Sequence, residues 1–117
     1  MGKHPDLNLP NKSTDSWRSG VEICYWRKFW GFRNEVVSHF SPKHEGIDIP
    51  LNSGGIEDII DILEQFLNRE YYEENGESIW EYEDYLIYMI RNLENLKVVK
   101  EYLIKYPETK CIFYDSY

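Results

Sequence analysis

The segment 25–34 (YWRKFWGFRN) holds five aromatic rings and three cationic side chains within ten residues. Aromatic faces stack on planar ligands, and arginine binds carboxylates and phosphates through two parallel hydrogen bonds. The segment therefore predicts either a site for an anionic ligand or, since the same rings are typical of a core helix, an aromatic part of the core. The candidate ligand-binding residues are Trp26, Arg27, Lys28, Trp30, Arg33, Asn34 and, near the C-terminus, Tyr114.

The rest of the chain is acidic. Residues 17–44 carry five Lys/Arg against two acids, whereas residues 45–108 carry sixteen Asp/Glu against five Lys/Arg, within a total net charge of −8. An acidic surface either keeps a chain soluble or docks on a basic partner protein. The candidate partner-binding residues are Asp58, Asp61 and Glu64. Duplex nucleic acid is not expected as a partner, because phosphate binding requires a positive surface.

The residue types that usually perform catalysis or bind metals are not arranged for either task. His39 and His44 lie on either side of Pro42, a poor spacing for a metal pair. Cys24 has no histidine placed to activate it, and paired acids such as Glu83-Asp84 catalyse proton transfer only within a pocket. We therefore expect a protein that is not an enzyme and that has no metal site and no cofactor.

Length and composition indicate one folded domain. The 117 residues are 42% hydrophobic and 16% aromatic, which is typical of a chain with a real core. The sequence shows neither a signal-peptide pattern nor a run of 18 apolar residues, so we expect a cytoplasmic protein that does not enter membranes. In that compartment Cys24 and Cys111 are expected as reduced thiols rather than as a disulfide.

Capping and breaking residues predict the elements that position the ring-rich segment. Residues 1–16 lack periodicity and predict a flexible arm, which leaves 17–117 as a single compact domain. A capping box at Ser19–Glu22 predicts a helix over 20–40, closed by Ser41-Pro42. The alternative is a strand over Val21–Tyr25 followed by a shorter helix, since these residues also alternate.

Two further helices are predicted after a loop at 41–52. Ser53 is expected to cap the first of these helices. A capping box at Ser78–Glu81 predicts the start of the second, and the acidic linker between them is expected to turn at Asn75-Gly76, where it is able to close a hairpin. The apolar stripe of the first helix is Ile56, Ile59, Ile60, Leu63, Phe66 and Leu67, and that of the second is Ile79, Tyr82, Leu86, Met89, Ile90 and Leu93.

The second stripe drifts after Leu93, and this predicts a kink or break near Asn95. Residues 110–114 then form a β-type run that either lies against the helices or pairs with another short strand. The predicted fold class is mainly α with a minor β element (α+β), with three or four helices around one core and a short C-terminal strand.

On a helical wheel for 20–40, Arg33 falls inside the apolar surface, between Trp26, Trp30 and Val37. Phe29, Phe32 and Val36 belong to a second apolar arc beside it. An unpaired buried charge costs several kcal/mol. Three outcomes are therefore open for Arg33: it pairs with a carboxylate such as Glu83 or Asp84, it extends past the rings to water, or it lines a ligand pocket.

The chain resembles a family of small phage-encoded proteins with a Tyr-Trp-Arg-Lys-x-x-x-Ile-His motif. The specific match is Tyr25-Trp26-Arg27-Lys28, and the similarity runs over about residues 21–117, through the Ser53–Leu67 helix to the C-terminal residues 114–117 (YDSY). Two positions depart from the family: Arg33 stands in place of its His, and Glu35 in place of a usual aromatic. The phage setting implies a role in host takeover or counter-defence, in the cytoplasm of the host.

Two functions fit these patterns. The first is a non-enzymatic binding protein that captures a small anionic, nucleotide-like signalling molecule at the aromatic and cationic segment and sequesters it as a sponge. Such a pocket is often built at an interface between copies, so a homo-oligomer is expected in this case. The second is an acidic inhibitor or immunity-type protein that binds a basic host protein through its acidic helix surface.

Overall fold

A computed structural model of the protein describes residues 24, 26, 28–40 and 48–114, apart from the side chains of Asp48 and Tyr114. The predicted arm at 1–16 lies outside these residues. The described elements follow in the order α1 (Trp30–Phe40), β1 (Asp48–Leu51), α2 (Ser53–Phe66), α3 (Arg69–Asn75), α4 (Tyr82–Lys105) and β2 (Cys111–Tyr114). The predicted class, mainly α with a minor β element, is confirmed.

The core is centred on α2 and α4, which pack against each other. The apolar stripe of α2 is buried as predicted, with Leu67 partly buried beyond its end. Each large apolar side chain that is fully buried stabilises the fold by about 1.5–3 kcal/mol. The predicted cap is wrong by one residue: Asn52, not Ser53, precedes the helix, and its Oδ1 accepts a hydrogen bond from the Gly55 amide at 2.8 Å.

Helix α4 is a single element of 24 residues, so the predicted break near Asn95 is wrong. Its buried face begins at Tyr85 rather than at Ile79, and Ile79 and Ile90 are exposed. The buried positions then recur every three or four residues without drifting. Tyr85, Met89, Asn92, Leu96, Val99 and Leu103 follow this spacing, and Leu93 and Asn95 beside them are buried as well.

The start of α4 also differs from the prediction. The helix begins at Tyr82, and Glu81 precedes it without a side-chain capping bond. The Ser78 hydroxyl, predicted to cap the helix, instead accepts a hydrogen bond from the amide of Trp80 at 3.1 Å. Residues 78–81 therefore form a distinct segment ahead of α4.

Helix α1 is shorter than the predicted helix over 20–40. It begins at Trp30, and Lys28 has a φ of 55°, a left-handed conformation that no α-helix through this position adopts. The shorter helix agrees with the alternative of a strand followed by a short helix, although most of that strand, at 21–25, lies outside the described residues. Phe29, Phe32 and Val36 are fully buried, which confirms that this arc belongs to the core.

The linker after α2 was predicted as a turn that is able to close a hairpin, and this prediction is wrong. Residues Arg69–Asn75 form the short helix α3, because the Asn68 Oδ1 caps it by accepting from the Tyr71 amide at 3.0 Å. Tyr72 fastens this helix to the core by its buried ring. Gly76, at its C-terminal end, has an ordinary helical φ of −70°.

Strands β1 and β2 pair antiparallel, with Asp48 opposite Tyr114 and Leu51 opposite Cys111. The predicted C-terminal strand is confirmed, and its partner lies in the segment 41–52 that was predicted as a loop. Ile49 is fully buried and attaches the sheet to the core. Within the described residues, no helix combines the length and apolar character needed to cross a bilayer.

Candidate functional site

Most of the described residues that were predicted to bind a ligand lie where the start of α1 meets the chain between α3 and α4. Phe29 and Ser78 form an isolated antiparallel β-bridge. Next to it, the Gly31 amide donates a hydrogen bond to the Gly76 carbonyl at 2.7 Å. We call this meeting of residues 28–34 with residues 76–81 the junction.

Gly31 makes the junction possible. A Cβ at this position would lie 1.9 Å from the carbonyl oxygen of Asn75 and 2.5 Å from that of Gly76. Both atoms belong to the backbone, so no side-chain rotation relieves the contact. The two segments therefore approach this closely because residue 31 has no side chain.

Two residues at the junction have left-handed backbone conformations although neither is glycine. Lys28 (φ 55°) directly precedes Phe29 of the bridge, and Glu77 (φ 48°) directly precedes Ser78. Such conformations cost of order 1–3 kcal/mol each and persist where the surrounding structure enforces them, often at functional sites. Strain on both sides of one bridge makes the junction a candidate functional site.

The outer surface of the junction is apolar. Trp30, Ile79 and Trp80 are 38%, 55% and 40% exposed, so three large apolar side chains are accessible within this one junction. Trp30 follows Phe29 and Ile79 follows Ser78, so both residues flank the bridge. The exposure of Ile79 and Trp80 was not predicted, since the sequence placed both at the start of a core-facing helix.

The polar side chains of the junction connect its two segments. The Arg33 Nη1 donates to the Asn34 Oδ1 at 2.9 Å, and the Asn34 Nδ2 donates to the Glu77 Oε2 at 3.5 Å. Arg33 is half-buried, and Lys28 is exposed. Glu83, one of the carboxylates proposed for Arg33, accepts a hydrogen bond from Arg69 at 3.0 Å.

Trp26, another predicted ligand-binding residue, packs beneath the junction. Its ring is partly buried and lies on the Phe32 ring, with centroids 4.3 Å apart, and edge-on against Tyr88 at 6.3 Å. Trp26 therefore contributes to packing rather than to the outer surface. Arg27 and the side chain of Tyr114, which were also predicted to bind the ligand, lie outside the described part of the chain.

The predicted partner-binding residues belong to a larger acidic surface. Between residues 57 and 84 the chain holds eleven carboxylates and one cation, Arg69. Ten of the eleven acidic residues are exposed, and Asp58 is partly exposed. We call these side chains the acidic surface: Glu57, Asp58, Asp61, Glu64, Glu70, Glu73, Glu74, Glu77, Glu81, Glu83 and Asp84.

Some of these carboxylates contact basic or imidazole side chains within the fold. Asp58 contacts the His39 ring at 2.9 Å, and Glu57 contacts Lys100 at 3.3 Å. Arg69 binds both Glu73, at 3.2 Å, and Glu83. The other members, apart from Glu77 with its bond from Asn34, form no ion pair among the described residues: Asp61, Glu64, Glu70, Glu74, Glu81 and Asp84.

Two shallow grooves run beside the acidic surface. One, of about 370 Å³, lies between α2 and α4 and is lined by Asp61 and Glu64 opposite Lys97 and Lys100. The other, of about 360 Å³, lies along α3 and is lined by Glu70, Tyr71 and Glu74, with Gln65 and Asn68. Acidic side chains therefore line both grooves.

Tyr71, in the groove along α3, bonds a carboxylate of α1. Its hydroxyl donates to the Glu35 Oε2 at 2.8 Å. Burial raises the pKa of Tyr71 to about 12, and the bond to Glu35 acts in the same direction. The hydroxyl is therefore protonated and able to donate at neutral pH, and its bond to Glu35 fastens α1 to α3.

The two cysteines are free thiols in partly buried positions. The Cys24 thiol lies 3.7 Å from the Asn92 carbonyl, and burial raises the pKa of the Cys111 thiol. Among the described residues, no group of three or more His, Cys, Asp or Glu side chains is placed to hold a metal ion.

Comparison of the chain with protein-family models, with curated proteins and with solved structures found no match.

Proposed function

We propose that this protein is a non-enzymatic binding protein that docks on a basic partner protein through its acidic surface. The observation that carries the proposal is the accumulation of eleven surface carboxylates against one cation over residues 57–84. Concentrated charge of one sign accelerates the encounter with an oppositely charged partner and opposes the approach of acidic ones.

The absence of ion pairs at several of the described carboxylates supports a partner-binding role. The six acidic side chains without an ion pair in the described part of the chain are distributed over α2, α3 and the start of α4, and two of them, Glu70 and Glu74, line the groove along α3. Mutual repulsion among like charges destabilises a compact fold. A basic partner relieves this repulsion, which gives the unneutralised carboxylates a function beyond solubility.

The resemblance to small phage proteins supplies the setting of the proposal. In that setting the chain acts in the host cytoplasm as an inhibitor or immunity-type protein, and its target is a basic host protein or toxin. Sequestration of such a target requires tight binding and no turnover, in agreement with a surface that offers charges and rings.

The test is a charge reversal at the acidic surface. Asp61→Lys/Glu64→Lys is compared with Glu94→Lys/Glu108→Lys, which changes the net charge equally but lies outside residues 57–84. Binding to a synthetic 20-residue Lys-rich peptide is measured by calorimetry at 50 and 200 mM NaCl. We expect the first variant to bind about tenfold more weakly at 50 mM and the control to bind almost like the wild type. Equal losses in both variants would contradict the proposal.

A second candidate function is capture of an anionic, nucleotide-like ligand at the junction. It is favoured by the exposed ring of Trp30 between the cations of Lys28 and Arg33. Its test is mass spectrometry of the purified and then denatured protein, with Trp30→Ala as the binding-deficient variant and Ile112→Ala, at a similarly exposed position, as the control. A nucleotide released from the wild type and the control but not from Trp30→Ala supports this function, and no released ligand in any sample contradicts it.

A further inference from the structure

We infer that Ile79 and Trp80 form the apolar centre of the docking surface, and that they contact a partner segment in which apolar side chains are flanked by Lys and Arg, as in an amphipathic basic helix. The inference rests on the proposed function. It adds where on the surface the contact is centred, and that the partner segment contributes apolar side chains as well as basic ones.

Trp80 is held in place before any partner arrives. Its carbonyl accepts a hydrogen bond from the Tyr72 hydroxyl at 2.7 Å, and its amide donates to the Ser78 Oγ at 3.1 Å. Its ring lies parallel to the buried Tyr85 ring, with an interplanar angle of 4° and centroids 6.0 Å apart. A ring whose backbone and stacking are already fixed loses little conformational entropy on binding.

The segment that carries Ile79 and Trp80 is also anchored at its N-terminal end. The bridge of Ser78 to Phe29 and the hydrogen bond from Gly31 to Gly76 hold residues 76–78 against α1. Ile79 nevertheless remains 55% exposed. A rigid loop that presents an exposed Ile-Trp pair has the chemistry of interface centres, which are enriched in tryptophan.

The carboxylates near Ile79 and Trp80 indicate the charge of the partner segment. Glu77, Glu81, Glu83 and Asp84 lie within four residues of Trp80, and all of them are exposed. Carboxylates around an apolar centre complement a partner whose apolar side chains are flanked by cations. A nucleic acid or an acidic protein meets repulsion at the same surface, so the fitting occupant is an apolar and basic protein segment.

The experiment compares two synthetic helical peptides of equal length and charge, one built from Leu and Lys and the other from Gln and Lys, because Gln keeps helix propensity without an apolar face. We expect the wild-type protein to bind the Leu/Lys peptide about tenfold more tightly, with a change in tryptophan fluorescence. Ile79→Ser/Trp80→Ala is expected to abolish this preference. Ile104→Ser is the matched control, since Ile104 is also 55% exposed but lies near the end of α4, and it is expected to keep the preference.

Each outcome assigns success or failure to one of the two proposals. If the wild type binds neither peptide, the proposed function fails; if it binds both equally, only this inference fails. A preference that persists in Ile79→Ser/Trp80→Ala, or that Ile104→Ser also loses, overturns the inference. Ile79→Ser alone is expected to fold normally and to weaken the preference. If light scattering shows that the wild type is a dimer and that Ile79→Ser dissociates it, Ile79 and Trp80 serve self-association, and this result also overturns the inference.

Discussion

The local structure of the junction depends on a few residues whose backbone is unusual. Gly31 allows the start of α1 to touch the chain after α3, and Lys28 and Glu77 adopt left-handed conformations on either side of the bridge that results. The exposed residues Trp30 and Trp80 each lie within two residues of a bridge partner. At the residue scale, the junction therefore combines a strained backbone with two exposed tryptophan side chains.

Gly31→Ala is expected to destabilise the protein by about 1–3 kcal/mol, because the added methyl group overlaps backbone oxygens that have no room to move. Urea denaturation followed by circular dichroism measures the change. Gly54→Ala is the control: its Cβ would lie 3.4 Å from its nearest neighbour, within α2, so this variant is expected to be neutral or slightly more stable. Equal destabilisation by the two variants would show that the close approach at Gly31 is not required.

Lys28 tests the strain directly. Its side chain is exposed, so substitution removes little packing. At a φ of 55° alanine keeps the steric penalty and glycine does not, and we expect Lys28→Gly to be more stable than Lys28→Ala by about 1 kcal/mol. This order is the reverse of the usual one for glycine and alanine. If alanine is the more stable variant in urea denaturation, the left-handed conformation at residue 28 is wrong.

Tyr71 predicts a pH dependence at the alkaline end. Its pKa is raised from 10.0 to about 12, so the folded protein favours the protonated phenol. The resulting stabilisation is complete below pH 10 and is lost as the pH rises from about 10 to 12. The stability difference between the wild type and Tyr71→Phe, measured by urea denaturation at pH 8, 10 and 11, should therefore shrink above pH 10. A difference that stays constant over this range contradicts the raised pKa of Tyr71.

At the scale of elements, local periodicity was enough to predict some helices, whereas features that depend on tertiary contacts were missed. The α2 stripe is regular, so the helix was predicted well from Ile56 to Phe66. The start of α1 was missed because residues 20–29 also have helical spacing, and only the contact with Gly76 explains why the chain turns at Lys28. The exposure of Ile79 was missed because its helical spacing with Tyr82 and Leu86 placed it on the core-facing stripe.

The buried face of α4 contains two asparagines with different expected roles. Asn92 is buried, and its Nδ2 has no hydrogen-bond partner among the described residues. Asn95 is fully buried and does have an interaction partner. Replacing an unsatisfied buried amide with a similar apolar side chain removes a desolvation penalty. We expect Asn92→Leu to raise the free energy of unfolding by about 1–2 kcal/mol and Asn95→Leu to lower it by about 1–3 kcal/mol. Destabilisation by Asn92→Leu in chemical denaturation would show that its amide is satisfied in solution.

At the scale of the whole molecule, repulsion between carboxylates opposes the compact fold. The chain has a net charge of −8, and its carboxylates are concentrated over residues 57–84 rather than spread evenly. The apolar contacts of α2 with α4 hold the fold together against this repulsion. A protein that keeps such a surface despite the repulsion gains stability whenever cations cover it, whether these cations are ions or side chains of a partner.

The salt dependence of stability tests, without any partner, whether repulsion between carboxylates destabilises the fold. The screening length falls from about 30 Å at 10 mM to about 8 Å at 150 mM salt, so moderate NaCl weakens repulsion between exposed carboxylates. We expect the melting temperature of the wild type to rise by about 2–4 °C between these concentrations, since 1 kcal/mol corresponds to about 4–8 °C in a domain of this size.

Asp61→Asn/Glu64→Gln removes two carboxylates that form no ion pair among the described residues. This variant is expected to melt higher at 10 mM and to gain less from added salt, whereas Glu57→Gln, which breaks the contact with Lys100, is expected to bring no such gain. If all three proteins respond equally to salt, repulsion within the acidic surface does not limit stability, and the relief of that repulsion no longer supports a basic partner.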